Sequence, residues 1–244
     1  MEPFVRTFEA LGSGYRICVT KEHKFGTDAF LLARFAAPRR GDLACDLGSG
    51  CGIIPLLWLG QLAPPRAVHA LELQEQAVAQ MEITRAENAL EGVLFPHLGD
   101  LCRLEALKGA LPFGSFDLVA CNPPYKVAGT GVPCPDEARL AARHEVSCTL
   151  EDVCRAAARL LRFGGRFCLC HRPERLPDVL EAMRKAGLEP KRLRFVQQRE
   201  GAPPWLFLAE GRRGSKPFLR VEPPLTVEAP GGGFSPEMLE IYGP

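Results

Sequence analysis

Nowhere in the 244 residues do apolar side chains run on for the ~18 to 20 positions that a membrane span requires. The first residues, Met1-Glu2-Pro3-Phe4, lack a basic head followed by an apolar stretch, so no secretory leader is expected. An excess of charge of one sign is also missing. Lys and Arg number 30 against 29 Asp and Glu, for a formal charge of +1. That excludes a chain coated in basic residues, and any contact with nucleic acid would have to use a local patch. Ten cysteines are present, yet no Cys-x-x-Cys pair. Structural zinc usually takes ligands about two to four residues apart. Only Cys168 and Cys170 are close, at the alternating spacing of a strand. Most of the ten lie inside apolar segments, where Cys behaves as a small hydrophobe. The expectation is reduced core thiols in a cytoplasmic protein, with no metal and no disulfide. Internal repeats and low-complexity tracts are absent as well.

What is present reads as an ordinary soluble chain. Hydrophobic residues make up 46% and charged residues 24%, while Gly (24) and Pro (22) exceed the usual background. The length suffices for the core of one α/β domain, with or without a small appendage. Strand and helix signals alternate. Arg16 to Thr20 alternates polar and apolar residues, as a hairpin strand does. Thr27 to Ala37 reads as a helix with Thr27 as N-cap, ended by Pro38 and Gly41. Strands are expected at Leu43 to Leu47, Ala67 to Leu73, Val93 to Leu98, Phe116 to Cys121 and Gly165 to Cys170. Helices fall at Ile53 to Leu62, Gln74 to Asn88 (apolar at Ala77, Val78, Met81 and Ile83), Leu150 to Arg162 and Leu176 to Ala186. Lys126 to Arg143 reads as a long loop. Leu193 to Gln198 and Trp205 to Glu210 form a terminal hairpin pair, and the tail from Gly211 packs irregularly or extends that hairpin through Phe218 to Val221. This order predicts a mostly parallel sheet with helices on both faces, and a ligand where the strand order reverses.

Chemistry concentrates at the ends of the predicted strands. Asp46-Leu47-Gly48-Ser49-Gly50-Cys51-Gly52 follows one strand and opens a helix. Glycines let the backbone turn sharply and touch a ligand, and a helix start offers unbonded amides. A tight βα turn explains the same pattern, but its context adds weight. Glu72 ends the next strand about 20 residues on, where a nucleotide fold places a carboxylate on ribose hydroxyls. By itself Glu72 fits a surface acid equally well. Asp100, after Gly99 at the third strand end, could accept from an adenine amine. The spacing is not that of a dinucleotide fingerprint, and Asp46 beside the glycines suits a ligand carrying positive charge. Asn122-Pro123-Pro124-Tyr125 ends the fourth strand. The prolines stiffen the loop. The Asn122 amide oxygen and a proline carbonyl can both accept from one planar NH2 group, and Tyr125 offers a face for stacking. A plain Pro-Pro turn is the alternative.

These blocks together resemble class I S-adenosylmethionine-dependent methyltransferases. Within that class the chain resembles the bacterial family that methylates the N6 amine of the adenine next to the anticodon of a valine tRNA. Lys24 to Leu32, Asp46 to Gly52, Glu72, Asp100, Asn122 to Tyr125 and Arg143-His144-Glu145 match in order. Pro223-Pro224-Leu225 and Ile241-Tyr242-Gly243 resemble the family's C-terminus. The resemblance implies a Rossmann-like, seven-stranded, mostly parallel sheet with a C-terminal antiparallel hairpin. It implies a segment 1–40, hairpin and helix, closing over the donor site of a methyltransferase domain 41–244. Asp46, Gly48, Gly50 and Gly52 would lie on the methionine part of S-adenosylmethionine, Glu72 on its ribose and Asp100 on its adenine, with Thr27 and Asp28 closing over it. Asn122 and the Pro123 carbonyl would grip the target amine within the Asn122-Pro123-Pro124-Tyr125 block, and Tyr125 would stack on a flipped base of a tRNA substrate.

Enzymes that methylate glutamine amides or guanine amines use similar blocks. The glutamine enzymes usually carry an extra N-terminal helical domain, for which ~40 residues before the glycines are too few. A non-catalytic donor-binding subunit would be expected to lose the Asn122 motif. Basic residues recur from Arg155 to Arg220, either as a phosphate-tracking face or as solvated surface.

Overall fold

A computed structural model of the protein describes residues 6–20, 23–123 and 148–243. The two prolines of the Asn122 block divide here: Pro123 is described, whereas Pro124 and Tyr125 lie outside, as do Lys126 to Arg143 and Arg143-His144-Glu145.

Strands β3 (Leu43–Leu47), β4 (Ala67–Glu72), β5 (Leu94–Leu98), β6 (Phe116–Cys121) and β7 (Leu161–His171) run parallel. β8 (Leu188–Gln197) and β9 (Pro204–Arg213) form the antiparallel hairpin, with β9 inserted beside β7. The order across these seven is β8-β9-β7-β6-β3-β4-β5, a mostly parallel sheet with the antiparallel hairpin that the resemblance implied. Two more strands of two residues each, β10 (Arg220–Val221) and β11 (Leu225–Thr226), join the outer edge of β8 in parallel, making nine. The tail thus neither wanders nor extends the hairpin: it returns alongside β8 and covers its exposed edge.

β3 and β6 are buried on both faces, which is why each is an almost unbroken apolar run. β7 shows the alternation: Cys168 and Cys170 face one core while Phe167 and Leu169 face the other. The first core packs α1 (Thr27–Ala36), α2 (Ile53–Leu59) and α3 (Glu75–Glu87) on one side of the sheet. The second packs α4 (Leu150–Leu160) and α5 (Leu176–Lys185) on the other. Among the described residues nine cysteines carry no disulfide, and seven of them are buried. None of the described helices is long and apolar enough to cross a membrane.

Three local readings are corrected. Gly26, not Thr27, is the N-cap of α1, and the Thr27 hydroxyl meets the Tyr242 hydroxyl at 2.7 Å. The fully buried residues of α3 are Ala77, Gln80, Met81 and Thr84, while Val78 packs partly buried against the core and Ile83 is half-buried. The reason is the hairpin of β1 (Thr7–Ala10) and β2 (Arg16–Val19), a separate two-stranded sheet whose backbone needs partners. Cys18 N donates to Thr84 Oγ1 at 3.0 Å, and Gln80 Nε2 donates to the Cys18 carbonyl at 2.6 Å. Finally, the tail ends in a helix, α6 (Pro236–Tyr242), with Ser235 accepting from Met238 N as its cap and Pro236 in its first turn. Tyr242 packs against Phe30 of α1, with ring centroids 4.7 Å apart.

Candidate active site

The strand order reverses between β3 and β6, so the carboxyl ends of these two strands open the crevice where ligands bind in this architecture. Asp46 belongs to β3, and Asn122 follows β6 directly. Both line a cavity of about 250 Å³ together with Lys24, Phe25, Asp28, Gly48, Ser49 and Gly50.

The glycine loop is held from outside rather than by its own side chains. Gly48 N and Ser49 N both donate to the Leu71 carbonyl, at 2.9 and 3.1 Å. Gly50 N donates to Glu72 Oε2 at 2.8 Å, and Gln74 N to Glu72 Oε1 at 2.9 Å. Glu72 is buried, and each of its carboxylate oxygens takes one backbone N–H that fixes the loop to the end of β4. Gly48, Gly50 and Gly52 all have positive φ, at 70°, 55° and 84°. A Cβ on Gly48 or Gly50 would meet nothing within 4 Å, which leaves that side of the loop open. A Cβ on Gly52 would lie 2.8 Å from Met81 Cγ. Gly52 is therefore glycine because α2 starts against α3, a packing reason rather than a ligand reason.

Asp46 is 1% exposed. Its Oδ2 accepts from the Ser49 hydroxyl at 2.7 Å, while Oδ1 is buried with no hydrogen-bond partner. Burial pushes the carboxyl up to about 7; the Ser49 hydrogen bond opposes this and the Glu72 charge adds to it. Leaving a buried acceptor unmade costs ~1 to 3 kcal/mol, and more for a charged group. A cationic donor in the cavity would satisfy Oδ1 and restore the ionised form. The site thus fits a positively charged ligand, as the sequence suggested for Asp46.

Asn122 Oδ1 accepts from the Cys170 thiol at 3.1 Å, a contact set by the pairing of β6 with β7. Pro123 is buried behind it. Asp28 lines the cavity, with Oδ1 accepting from Ala29 N at 3.0 Å, whereas Thr27 turns away to Tyr242. Asp100 caps the short 3-10 helix Leu101–Leu107, Oδ1 accepting from Cys102 N at 2.8 Å. The cavity lining thus unites Asp28, Asp46, Gly48, Gly50 and Asn122 and leaves Thr27, Gly52, Glu72 and Asp100 outside it. Sequence reasoning gave no role to Lys24, Phe25, Ser49 or Cys170. Ser49 was discoverable as the hydroxyl three residues after Asp46.

The late basic residues fold back onto acids. Arg162 pairs with Asp117, Arg166 and Arg192 share Glu210, Arg194 forks onto Glu237 and Arg199 meets Glu228. Lys191, Arg212, Arg213, Lys216 and Arg220 make no ion pair among the described residues. Arg212 stands opposite Arg166, midway along β7. Most of the run is therefore solvated or paired surface and does not ring the cavity.

The sequence profile described as the methyltransferase small domain matches residues 20–183. The chain belongs to that family. The matched span holds the glycine loop, Glu72, Asp100 and Asn122. Among relatives of this methyltransferase, a Bacteroides thetaiotaomicron protein named tRNA1(Val) (adenine(37)-N6)-methyltransferase is 31% identical over 171 residues, 68% of this chain and 65% of that protein. A Tolumonas auensis protein of the same name is 29% identical over 220 residues, covering 89% and 87% of the two. The fold matches the crystal structure of a predicted O-methyltransferase from Agrobacterium tumefaciens with a TM-score of 0.69 at 22% identity, over 88% of this chain and 95% of that one.

Proposed function

We propose that the protein methylates the N6 amine of an adenine in tRNA, the one next to the anticodon, with S-adenosylmethionine as methyl donor. The observation that carries this reading is the buried, partnerless Asp46 Oδ1 sharing one cavity with Asn122 across the β3–β6 switch point. The name borne by the Bacteroides and Tolumonas relatives supports the adenine and the tRNA.

When bound, S-adenosylmethionine supplies an electrophilic methyl group on a cationic sulfur. Asp46 Oδ1 accepts from the donor's ammonium group. Gly48 and Gly50 leave room for its methionine part, and Gly52 keeps the loop seated on α3. Glu72, besides fixing the loop, presents its remaining lone pairs to the ribose, and Asp100 accepts from the adenine amine. The segment 1–40 closes over the donor, with Thr27 held by Tyr242 so that Asp28 faces the cavity.

The chemistry at the target follows from its nitrogen. An aromatic amine is a poor nucleophile because its lone pair is delocalised into the ring. Asn122 Oδ1 and the Pro123 carbonyl accept its two protons and so favour a tetrahedral nitrogen with the lone pair exposed. Pro124 and Tyr125 lie outside the described residues; in this reading Tyr125 would supply the stacking surface for the flipped base. Positioning and pre-set acceptors supply most of the acceleration, and no strong base is needed before attack, because the proton leaves after the methyl group has arrived. Such an enzyme works in the cytoplasm, where its tRNA is.

The test is incubation with labelled donor and total tRNA, followed by nucleoside analysis. N6-methyladenosine should form with the wild type and vanish with Asn122→Ala, while that variant still binds S-adenosylhomocysteine. Label found in protein and not in RNA would overturn the reading in favour of a glutamine amide target.

A further inference from the structure

No two cysteines stand at zinc-ligand spacing along the chain. The fold brings two distant cysteines together. Cys102 sits in the 3-10 helix after β5, and Cys148 stands just before α4. Their Sγ atoms and a carboxylate oxygen of Asp152 all lie within 4.8 Å of one another, the one such group of metal-binding side chains among the described residues. Cys102 is exposed and Cys148 half-buried, so the group is open to solvent.

Two carboxylates border the group, each paired with an arginine: Asp100 with Arg103 and Asp152 with Arg155. The Asp100 and Asp152 carboxylates both bear on the two thiols. Reactive, redox-active cysteines sit in electropositive surroundings that stabilise the thiolate; these surroundings do the opposite. A divalent ion inverts that logic, because its own charge outweighs the local carboxylates and drives off the thiol protons. Asp152 can take part without giving up its present bonds. Its Oδ2 accepts from Thr149 N at 2.9 Å and from Thr149 Oγ1 at 2.6 Å, and its Oδ1 accepts from Arg155. A carboxylate offers about four lone-pair positions, so one remains for an ion.

We propose that Cys102 Sγ, Cys148 Sγ and the Asp152 carboxylate form a binding site for a thiophilic divalent cation of the zinc type, with water as fourth ligand. Two S–H bonds break and two metal–sulfur bonds form, the two protons pass to solvent, and nothing is oxidised or reduced. The ion would tie the start of α4 to the turn after β5 that carries Asp100. Three protein ligands and a water is a known zinc arrangement. The Arg155 guanidinium stays on Asp152 and repels the ion, so its charge weakens binding. This inference is independent of the substrate assigned to the main cavity.

Cobalt(II) titration of the fully reduced full-length protein tests it. Wild type should give a thiolate-to-cobalt charge-transfer band that zinc abolishes. Cys102→Ser and Cys148→Ser should weaken binding by about tenfold or more. Arg155→Ala should tighten it several-fold. Cys102 is exposed, so Cys102→Ser should keep its circular dichroism and carries the test even if Cys148→Ser folds poorly. Equal cobalt affinity in Cys102→Ser and wild type would overturn the proposal. So would a reduced protein that takes up no cobalt while peptide mapping of the unreduced protein finds a Cys102–Cys148 disulfide.

Discussion

The Ser49 hydroxyl donates to one oxygen of Asp46 over 2.7 Å and leaves the other oxygen buried and without a partner. Asp46 is therefore a residue whose charge is costly until a cation arrives. Its carboxyl stands at about 7 in the folded chain against 3.8 for an ordinary aspartate, chiefly because burial disfavours the charge. The folded state thus holds a proton that the unfolded state gives up, and stability falls as pH rises from about 4 to about 7. Above that window Asp46→Asn should be more stable than the wild type without ligand, by on the order of a few kcal/mol; near pH 4 the difference should disappear. Urea melts at the two pH values read this directly. The same variant should lose donor affinity by at least tenfold. Wild-type affinity for S-adenosylhomocysteine, measured by calorimetry, should fall as pH drops below about 7, with uptake of the donor releasing a proton. An affinity flat from pH 5 to 8 would sink this account of Asp46.

Glu72 joins Gly50 N and Gln74 N through its two oxygens, at 2.8 and 2.9 Å. Hydrogen bonds to a charged acceptor contribute ~1.5 to 3 kcal/mol each. Glu72→Ala should therefore destabilise the chain by roughly 2 to 4 kcal/mol in urea unfolding, a large effect for a residue assigned only to a ligand. Glu72→Gln, which keeps one acceptor, should lose about half of that. If Glu72→Ala unfolds like the wild type and merely raises the KM for the donor, the loop is held by something else.

The parts of this protein that were legible from the sequence are those whose cause is local. Asp46 to Gly52 announces itself because strand, glycine turn and helix follow one another directly. Asn122 stands out because two prolines cannot continue β6. The parallel order of β3 to β7 follows from alternating signals. What stayed hidden depends on contacts across the fold. Thr27 has the residue type of an N-cap, but its hydroxyl is taken by Tyr242 from the far end of the chain. Nothing local marks Gln80 and Thr84 as buried; β2 buries them because its backbone requires their hydrogen bonds. Gly52 was grouped with the ligand glycines because nothing local marks Met81 as its neighbour. The basic run from Arg155 is equally readable as a phosphate-tracking face or as solvated surface, because the acids that neutralise it, such as Asp117 and Glu237, lie elsewhere in the sequence.

Gly48 and Gly52 should respond differently to the same substitution. Both have positive φ, 70° and 84°, which costs an alanine ~1 to 2 kcal/mol. At Gly52 the new methyl also meets Met81 Cγ at 2.8 Å, adding an overpacking cost of ~1 to 3 kcal/mol. Gly52→Ala should lose more stability than Gly48→Ala, and Gly48→Ala should weaken the donor more, because its methyl enters the open side of the loop. A double-mutant cycle with Met81→Ala separates the terms. The pair should be less damaging than the sum of its members by about 1 kcal/mol or more. Strict additivity would show that Met81 simply moves aside.

Cys170 is a positioning residue for Asn122. Its thiol donates to Asn122 Oδ1 at 3.1 Å from the neighbouring strand, and that oxygen is the one assigned to the target amine. Removing the donor takes away one contact that favours this amide orientation over the flipped one, which would present an NH2 to the substrate's protons. A thiol is a weak donor, so the effect should be moderate. Cys170→Ala should lower kcat several-fold with donor affinity unchanged, because Cys170 does not line the cavity. Cys170→Ser should recover the rate, since a hydroxyl supplies a better donor at nearly the same place. A purely structural role would instead move the melting temperature in both variants and leave kcat of the folded fraction alone. Equal rates for wild type, Cys170→Ala and Cys170→Ser would show that Asn122 is oriented without this thiol.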